Sequence, residues 1–106
     1  MSNETEFTDS NFQAQTENGL SLIDFWAPWC GPCRTQGPIV EEVAQEMADK
    51  ATIGKCNVDD NPDISTKFGV RSIPTIIIIK DGEEVERMVG VQTGDTLRAK
   101  LNEHLT

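Results

Sequence analysis

Apolar residues fall into short blocks along the chain, and the spacing within each block changes from one to the next. Leu20 to Trp26 is dense in large apolar side chains and predicts a strand. From about Cys33 to Lys50, Val40, Val43, Ala44 and Met47 recur at three- and one-residue steps, the stripe of an amphipathic α-helix. Gly37-Pro38 interrupts that helix, and a kink is expected there. Ala51 to Val58 returns to a strand pattern, and Thr75 to Lys80, with Ile76, Ile77, Ile78 and Ile79 in a row, predicts a strand buried on both faces. Asp81-Gly82 is the chemistry of a tight hairpin turn, leading into a strand from about Glu83 to Val89. Ahead of these, a short strand is expected around Phe7, and Thr8 or Asp9 can cap a helix that carries Phe12 and ends near Gly19. Asn61 is expected to cap a short helix with Pro62 at its first position and Gly69 at its C-terminal end. Thr93 opens a last helix with Leu97, Leu101 and Leu105 one turn apart. The order β-α-β-α-β-α-β-β-α implies an α/β fold: a central mixed sheet of about five strands flanked by four helices on both faces.

Composition narrows the function classes. The chain has 106 residues, with 18 Asp and Glu against 9 Lys and Arg, a net charge of −9. Turn signals are closely spaced and no repeat or linker interrupts them, so residues 1–106 are expected to form one domain. A chain of this size removes roughly two thirds of its unfolded surface from water, enough for a core without disulfide staples or a structural metal. Its negative field opposes nucleic acid and anionic lipid, so neither is an expected partner. Met1 to Ser10 lacks a basic cluster followed by an apolar stretch, and no apolar run approaches the ~20 residues that span a bilayer. A cytoplasmic protein is expected, in a compartment where a close cysteine pair is more often catalytic or metal-binding than structural.

The chemistry concentrates where the first long strand meets the long helix, at Trp26-Ala27-Pro28-Trp29-Cys30-Gly31-Pro32-Cys33. Cys30 lies at the helix N-terminus, where unpaired N–H groups and the positive end of the macrodipole favour a thiolate, so it is the expected nucleophile. Cys33 is one turn on and shares its face, so a reversible Cys30–Cys33 disulfide is geometrically natural. Pro32 is tolerated in this first turn because the N–H it lacks would have no helical partner, and its fixed φ limits drift of the sulfurs. A C-x-x-C pair can also be half of a zinc site, but no second pair completes one here, and no metal is expected. Haem attachment requires His after the second cysteine, where this chain has Arg34.

The segment Asp24-Phe25-Trp26-Ala27-Pro28-Trp29-Cys30-Gly31-Pro32-Cys33, with Pro38, Lys55, Asp59, Asn61-Pro62, Arg71-Ser72-Ile73-Pro74-Thr75, Asp81-Gly82 and Gly90, resembles the thioredoxin family over nearly the whole chain. The Gly31-Pro32 dipeptide between the cysteines separates it from glutaredoxin-like and disulfide-isomerase-like relatives. The resemblance implies a thioredoxin fold and a monomeric general dithiol reductant, needing no bound cofactor beyond its own disulfide. Cys30 would attack disulfides of target proteins, Cys33 would resolve the mixed disulfide, and thioredoxin reductase would restore the dithiol at the expense of NADPH. A binding module without turnover is the competing class, and the presence of both cysteines favours the reductant.

The supporting residues follow. Asp24 stands in an apolar strand, where burial should raise its pKa; the resemblance makes it the proton acceptor for Cys33, tuned by Lys55. Pro74 alone would mark only the start of a strand. By resemblance the Ile73-Pro74 bond is cis and faces the sulfurs, with Ile73 offering backbone hydrogen bonds to an extended target chain. Trp29, Val58, Ser72, Ile73, Pro74, Val89, Gly90 and Val91 match the rim on which related proteins dock targets, while Trp26 is expected to pack beneath the site. Cys56 reads as a buried, inert thiol, and His104 as a complement to the C-terminus of the last helix. Gln36-Gly37 departs from the family pattern, where bulkier apolar residues are frequent, and implies a locally weaker helix; the chain also lacks Tyr.

Overall fold

The computed structural model describes residues 3–105. Their elements run β1 (Thr5–Glu6), α1 (Phe12–Thr16), β2 (Leu20–Trp26), α2 (Gly31–Glu46), β3 (Thr52–Asn57), α3 (Pro62–Lys67), β4 (Thr75–Lys80), β5 (Glu83–Val89) and α4 (Gly94–Glu103). The strands form one sheet in the order β1-β3-β2-β4-β5. β1 and β2 run parallel to β3, whereas β4 is antiparallel to β2 and to β5. Helical crossovers produce the parallel pairs, and the Asp81-Gly82 hairpin produces the antiparallel β4–β5 pair. Both turn residues have positive φ, 50° and 87°, the twist that a two-residue hairpin requires. A bulge between Ile78 and Ile79 shifts the β4–β5 register, so that Ile79 pairs with Glu84.

Two cores share this sheet. Val40, Val43, Ala44 and Met47 of α2 and Leu97 and Leu101 of α4 pack with Leu20, Leu22, Ile53, Ile76 and Ile78 on one face. Phe12 of α1 and Ile64 of α3 pack with Phe7, Ile23, Phe25, Cys56, Ile77 and Ile79 on the other. The isoleucine run therefore alternates between two cores, which is why Ile76 to Ile79 include no polar position. Burying each such side chain is worth about 1.5–3 kcal/mol relative to exposure. Gly54 makes β1 possible, because a Cβ there would fall on the Thr5 carbonyl group.

Several local expectations are corrected. The long helix begins at Gly31 and ends at Glu46 rather than spanning about Cys33 to Lys50, because its apolar stripe finishes at Met47 and Ala48 to Lys50 have nothing to bury. Gln36-Gly37-Pro38 lies inside one uninterrupted helix. α1 stops at Thr16 because Gly19 (φ 79°) is taken by a tie to the hairpin: its N–H donates to Asp81 Oδ1 and its carbonyl accepts from Asp81 N, both at 2.8 Å. Thr8 closes a box with Asn11, each side chain accepting from the other's N–H at 3.2 and 2.8 Å. Asn61 does not cap α3 with its side chain. The Asp9 carboxylate does so instead, accepting from the N–H groups of Asp63 (3.3 Å) and Ile64 (3.0 Å). Asn61 Oδ1 holds Asp9 in place by accepting from its N–H at 3.0 Å. Leu105 lies beyond α4 and is exposed. His104, the C-cap residue of α4, pairs with Glu86 of β5 at 3.0 Å instead of merely complementing the helix end.

Candidate active site

Strand β2 delivers the chain to the edge of the core at Trp26, and Ala27-Pro28-Trp29 carries it to Cys30, the N-cap of α2. The Cys30 backbone is extended (φ −89°, ψ 113°), and its Sγ accepts a hydrogen bond from Cys33 N at 3.2 Å. A sulfur thus takes the place that a serine or aspartate oxygen usually holds at a helix start. Cys30 and Cys33 are bonded as a disulfide with their Cα atoms 5.3 Å apart, within the ordinary range for such bridges. Each is only 5 % exposed, whereas Gly31 and Pro32 between them are exposed. Ala27, Val58, Ile73 and the Trp26 side chain pack around the sulfurs.

On the outer side, Cys30 Sγ lies 3.7 Å from the Ile73 carbonyl oxygen. The Ile73-Pro74 peptide is cis, and Pro74 is buried beside it. The Pro74 carbonyl accepts from Gly90 N at 2.9 Å, which brings the end of β5 against the site. Val89 and Val91, flanking that glycine, are 61 % and 43 % exposed, and Trp29 is 69 % exposed. These three are the most exposed large apolar side chains among the described residues. The Trp29 indole N–H donates to Asp59 Oδ2 at 3.0 Å, fixing the ring. Val58 is half-buried and bridges the sulfurs and the α1/α3 core, while Ser72 is exposed and its carbonyl accepts from Thr75 Oγ1 at 2.6 Å.

Beneath the disulfide, Asp24 occupies the middle of β2, paired across the sheet with Lys55 and Ile76. It is 1 % exposed, and its Oδ1 has no hydrogen-bond partner among the described residues. Burial raises its pKa from 3.8 to about 7; the negative charge of Glu4 adds to the rise and the ammonium of Lys55 opposes it. Lys55 Nζ sits 5.2 Å from the centre of the Trp26 ring and 4.0 Å from Glu4 Oε1. A cavity of about 380 Å³ joins Asp24 to Cys33 and is lined also by Trp26, Pro38 and Lys55. The arrangement leaves room for water to relay a proton between carboxylate and sulfur.

Cys56 is fully buried in the opposite core, and burial pushes its thiol up to about 12, with Asp9 and Glu6 adding to the shift. The three cysteines therefore form no common ligand set. Among the described residues, Glu86, Glu103 and His104 bring ligand atoms within 4.8 Å of one another, but the Lys100 ammonium lies 3.8 Å from Glu86 and 3.7 Å from Glu103. A cation already serves that cluster.

Sequence reasoning gives no site role to Glu4, Asp59 or Gln36, although Asp59 belongs to the family resemblance and Gln36 departs from it. The first two meet their partners only through the fold. Gln36 did leave a signal, a polar residue on the apolar stripe of α2, and it is fully buried. Among the described residues, no helix is long and apolar enough to cross a membrane.

A cysteine pair closing the first turn of a helix that leaves a central strand, over a buried carboxylate, defines a thiol–disulfide oxidoreductase. A family model described as Thioredoxin matches residues 3–103. The thioredoxin of Bacillus subtilis is 50% identical over 98 residues, covering 92% of this chain and 94% of that protein. Thioredoxin 2 of Chlorobaculum tepidum is 49% identical over 102 residues, 94% of each. The crystal structure of a Malassezia sympodialis thioredoxin aligns with a TM-score of 0.90 at 29% identity, covering 100% of this chain and 94% of that one. The chain belongs to the thioredoxin family.

Proposed function

We propose that the protein is a general protein-disulfide reductase that cycles Cys30 and Cys33 between dithiol and disulfide, with residues 1–106 acting as one domain. In the reduced state the Cys30 thiolate attacks one sulfur of a target disulfide. The target S–S bond breaks, its second sulfur leaves as a thiolate and takes a proton, and a Cys30–target mixed disulfide forms. Asp24, as carboxylate, accepts the Cys33 proton across the shared cavity. The Cys33 thiolate then attacks Cys30 Sγ, the target leaves through its remaining sulfur, and two electrons have passed to it. Lys55 tunes Asp24 by opposing the rise in its pKa. Gly31 and Pro32 fix the spacing of the sulfurs.

The observation that carries this reading is Cys30 as the N-cap of α2, its sulfur facing the Cys33 N–H. That hydrogen bond strengthens when the sulfur is anionic, as it must be for attack and for departure. Trp29, Val58, Ser72, Ile73, Pro74, Val89, Gly90 and Val91 form the docking rim, on which an extended target segment pairs with the Ile73 backbone. A monomer in the cytoplasm, re-reduced by thioredoxin reductase with NADPH and contributing to redox homeostasis, completes the proposal.

The test is covalent trapping. Cys33→Ser should accumulate mixed disulfides with target proteins through Cys30, and Cys30→Ser should not. Equal trapping by both variants, or trapping through Cys56, would overturn the assignment. Reduction of insulin with NADPH and thioredoxin reductase, compared with dithiothreitol as donor, tests the proposed source of electrons.

A further inference from the structure

A glutamine with no solvent exposure on the apolar stripe of a helix needs a reason, because a buried amide must pair both its donor and its acceptor. Gln36, one turn beyond Cys33, finds both in a single residue 56 positions away. Its Nε2 donates to the Gln92 carbonyl at 3.1 Å, and its Oε1 accepts from Gln92 N at 2.7 Å. The side chain thus pairs with the loop as a neighbouring strand would. The Gln92 side chain in turn donates to the carbonyls of Val89 and Gly90, both at 3.3 Å. Gly90 N donates to the Pro74 carbonyl at 2.9 Å, and the preceding carbonyl, that of Ile73, lies 3.7 Å from Cys30 Sγ. These contacts form a ring from the redox helix, through the loop joining β5 to α4, back to the sulfur.

The geometry points to Gln36 as a positioning residue for target docking, clamping the Gly90-Val91-Gln92 loop to the redox helix so that Val89 and Val91 face a target at a fixed distance from Cys30. The inference rests on the proposed reductase function and adds to it a residue that reaches neither the sulfurs nor the surface. The ligand it serves is an extended, disulfide-bearing polypeptide, because the contacts run from Cys30 past Ile73 and Pro74 to Gly90, further than a disulfide alone would reach. An apolar residue at position 36 would suit the stripe but would leave the Gln92 N–H and carbonyl without their partner. The loop would then have to be ordered by each arriving target, which raises KM rather than slowing the exchange at sulfur.

The experiment measures steady-state insulin reduction, with dithiothreitol as donor, by the parent, Gln36→Leu, Gln36→Met and Gln92→Ala, each well below its melting temperature. Expected are a KM for insulin raised about fivefold in the two position-36 variants with kcat within twofold of the parent. Gln92→Ala, which removes only the two bonds to Val89 and Gly90, should move KM about twofold in the same direction. In parallel, exchange of the Gln92 amide hydrogen should accelerate at least tenfold in the position-36 variants, the direct mark of a released loop. A merely structural role would lower the melting temperature and leave the ratio of KM to kcat unmoved, and that result would overturn the inference. If Gln36→Leu does not fold, Gln36→Met and Gln92→Ala decide by the same criterion. A parent that reduces insulin alongside variants of unchanged KM overturns the docking role alone, whereas a parent that fails to reduce insulin overturns the reductase reading and this inference with it.

Discussion

Replacing Asp24 by Asn removes the ionisable group from the middle of β2 while keeping its shape. The folded protein holds the Asp24 proton up to about pH 7, whereas the unfolded chain releases it near the ordinary value of 3.8. The group's favourable contribution is fully present below 3.8, declines as pH rises because only the unfolded state ionises, and levels off above about 7. At about 1.4 kcal/mol per pH unit, the gap between 3.8 and about 7 amounts to about 4 kcal/mol of stability lost across that window. Asp24→Asn escapes this loss. Denaturant unfolding of parent and variant from pH 4 to pH 8.5 should show their difference growing by roughly 3–4 kcal/mol in favour of the variant. Thermal melts at pH 8 should separate by about 15 °C or more. The same change removes the proposed acceptor for the Cys33 proton, so resolution of mixed disulfides should slow. A stability difference that stays flat with pH would refute the buried, proton-holding carboxylate, whatever happens to turnover.

Other perturbations follow from local geometry. Asp9→Ala removes the side chain that caps α3 from more than fifty residues away and should cost about 1–2 kcal/mol in urea unfolding, with Asp9→Asn restoring part of it. Gly54→Val places side-chain carbon on the Thr5 carbonyl and should expel β1; a loss of about 2 kcal/mol or more is expected, with faster exchange of the Phe7 amide that bonds to Lys55 O. Oxidised protein should bury Cys56 beyond reach of a thiol-labelling reagent under native conditions and expose it only on unfolding, as mass spectrometry would show.

What could be read from the sequence divides along a physical line. The isoleucine strand, the Asp81-Gly82 hairpin, the burial of Asp24 and the position of Cys30 each depend on a residue and its near neighbours in the chain, and each stands as expected. Asn61 does hold the N-cap position of α3 ahead of Pro62, as adjacency suggests, but the side-chain bonds to the first N–H groups come from Asp9, once β1 and α1 have brought it there. His104 likewise met Glu86 on a strand that no local rule connects to α4. Gln36 conflicted with its helix stripe, and such a conflict indicates that something distant resolves it without saying what. The approach of Gly90 to Pro74 and the cis peptide were legible only through the family resemblance, since they arise where two loops from opposite ends of strands meet.

The two strands at the margins of the sheet bear on how the protein can meet unfolded partners without joining them. On the proposed reading, Ile73 offers its backbone to extended chains, and a molecule that does so risks offering every other free strand as well. β1 is two residues long, too short to template an added strand. β5 carries Glu83, Glu84, Glu86 and Arg87, with a bulge in its pairing to β4. Charge and irregularity of this kind discourage edge-to-edge aggregation. Backbone pairing with other chains is thereby left to the segment beside the sulfurs, where an associated chain can be released by chemistry instead of accumulating as fibre.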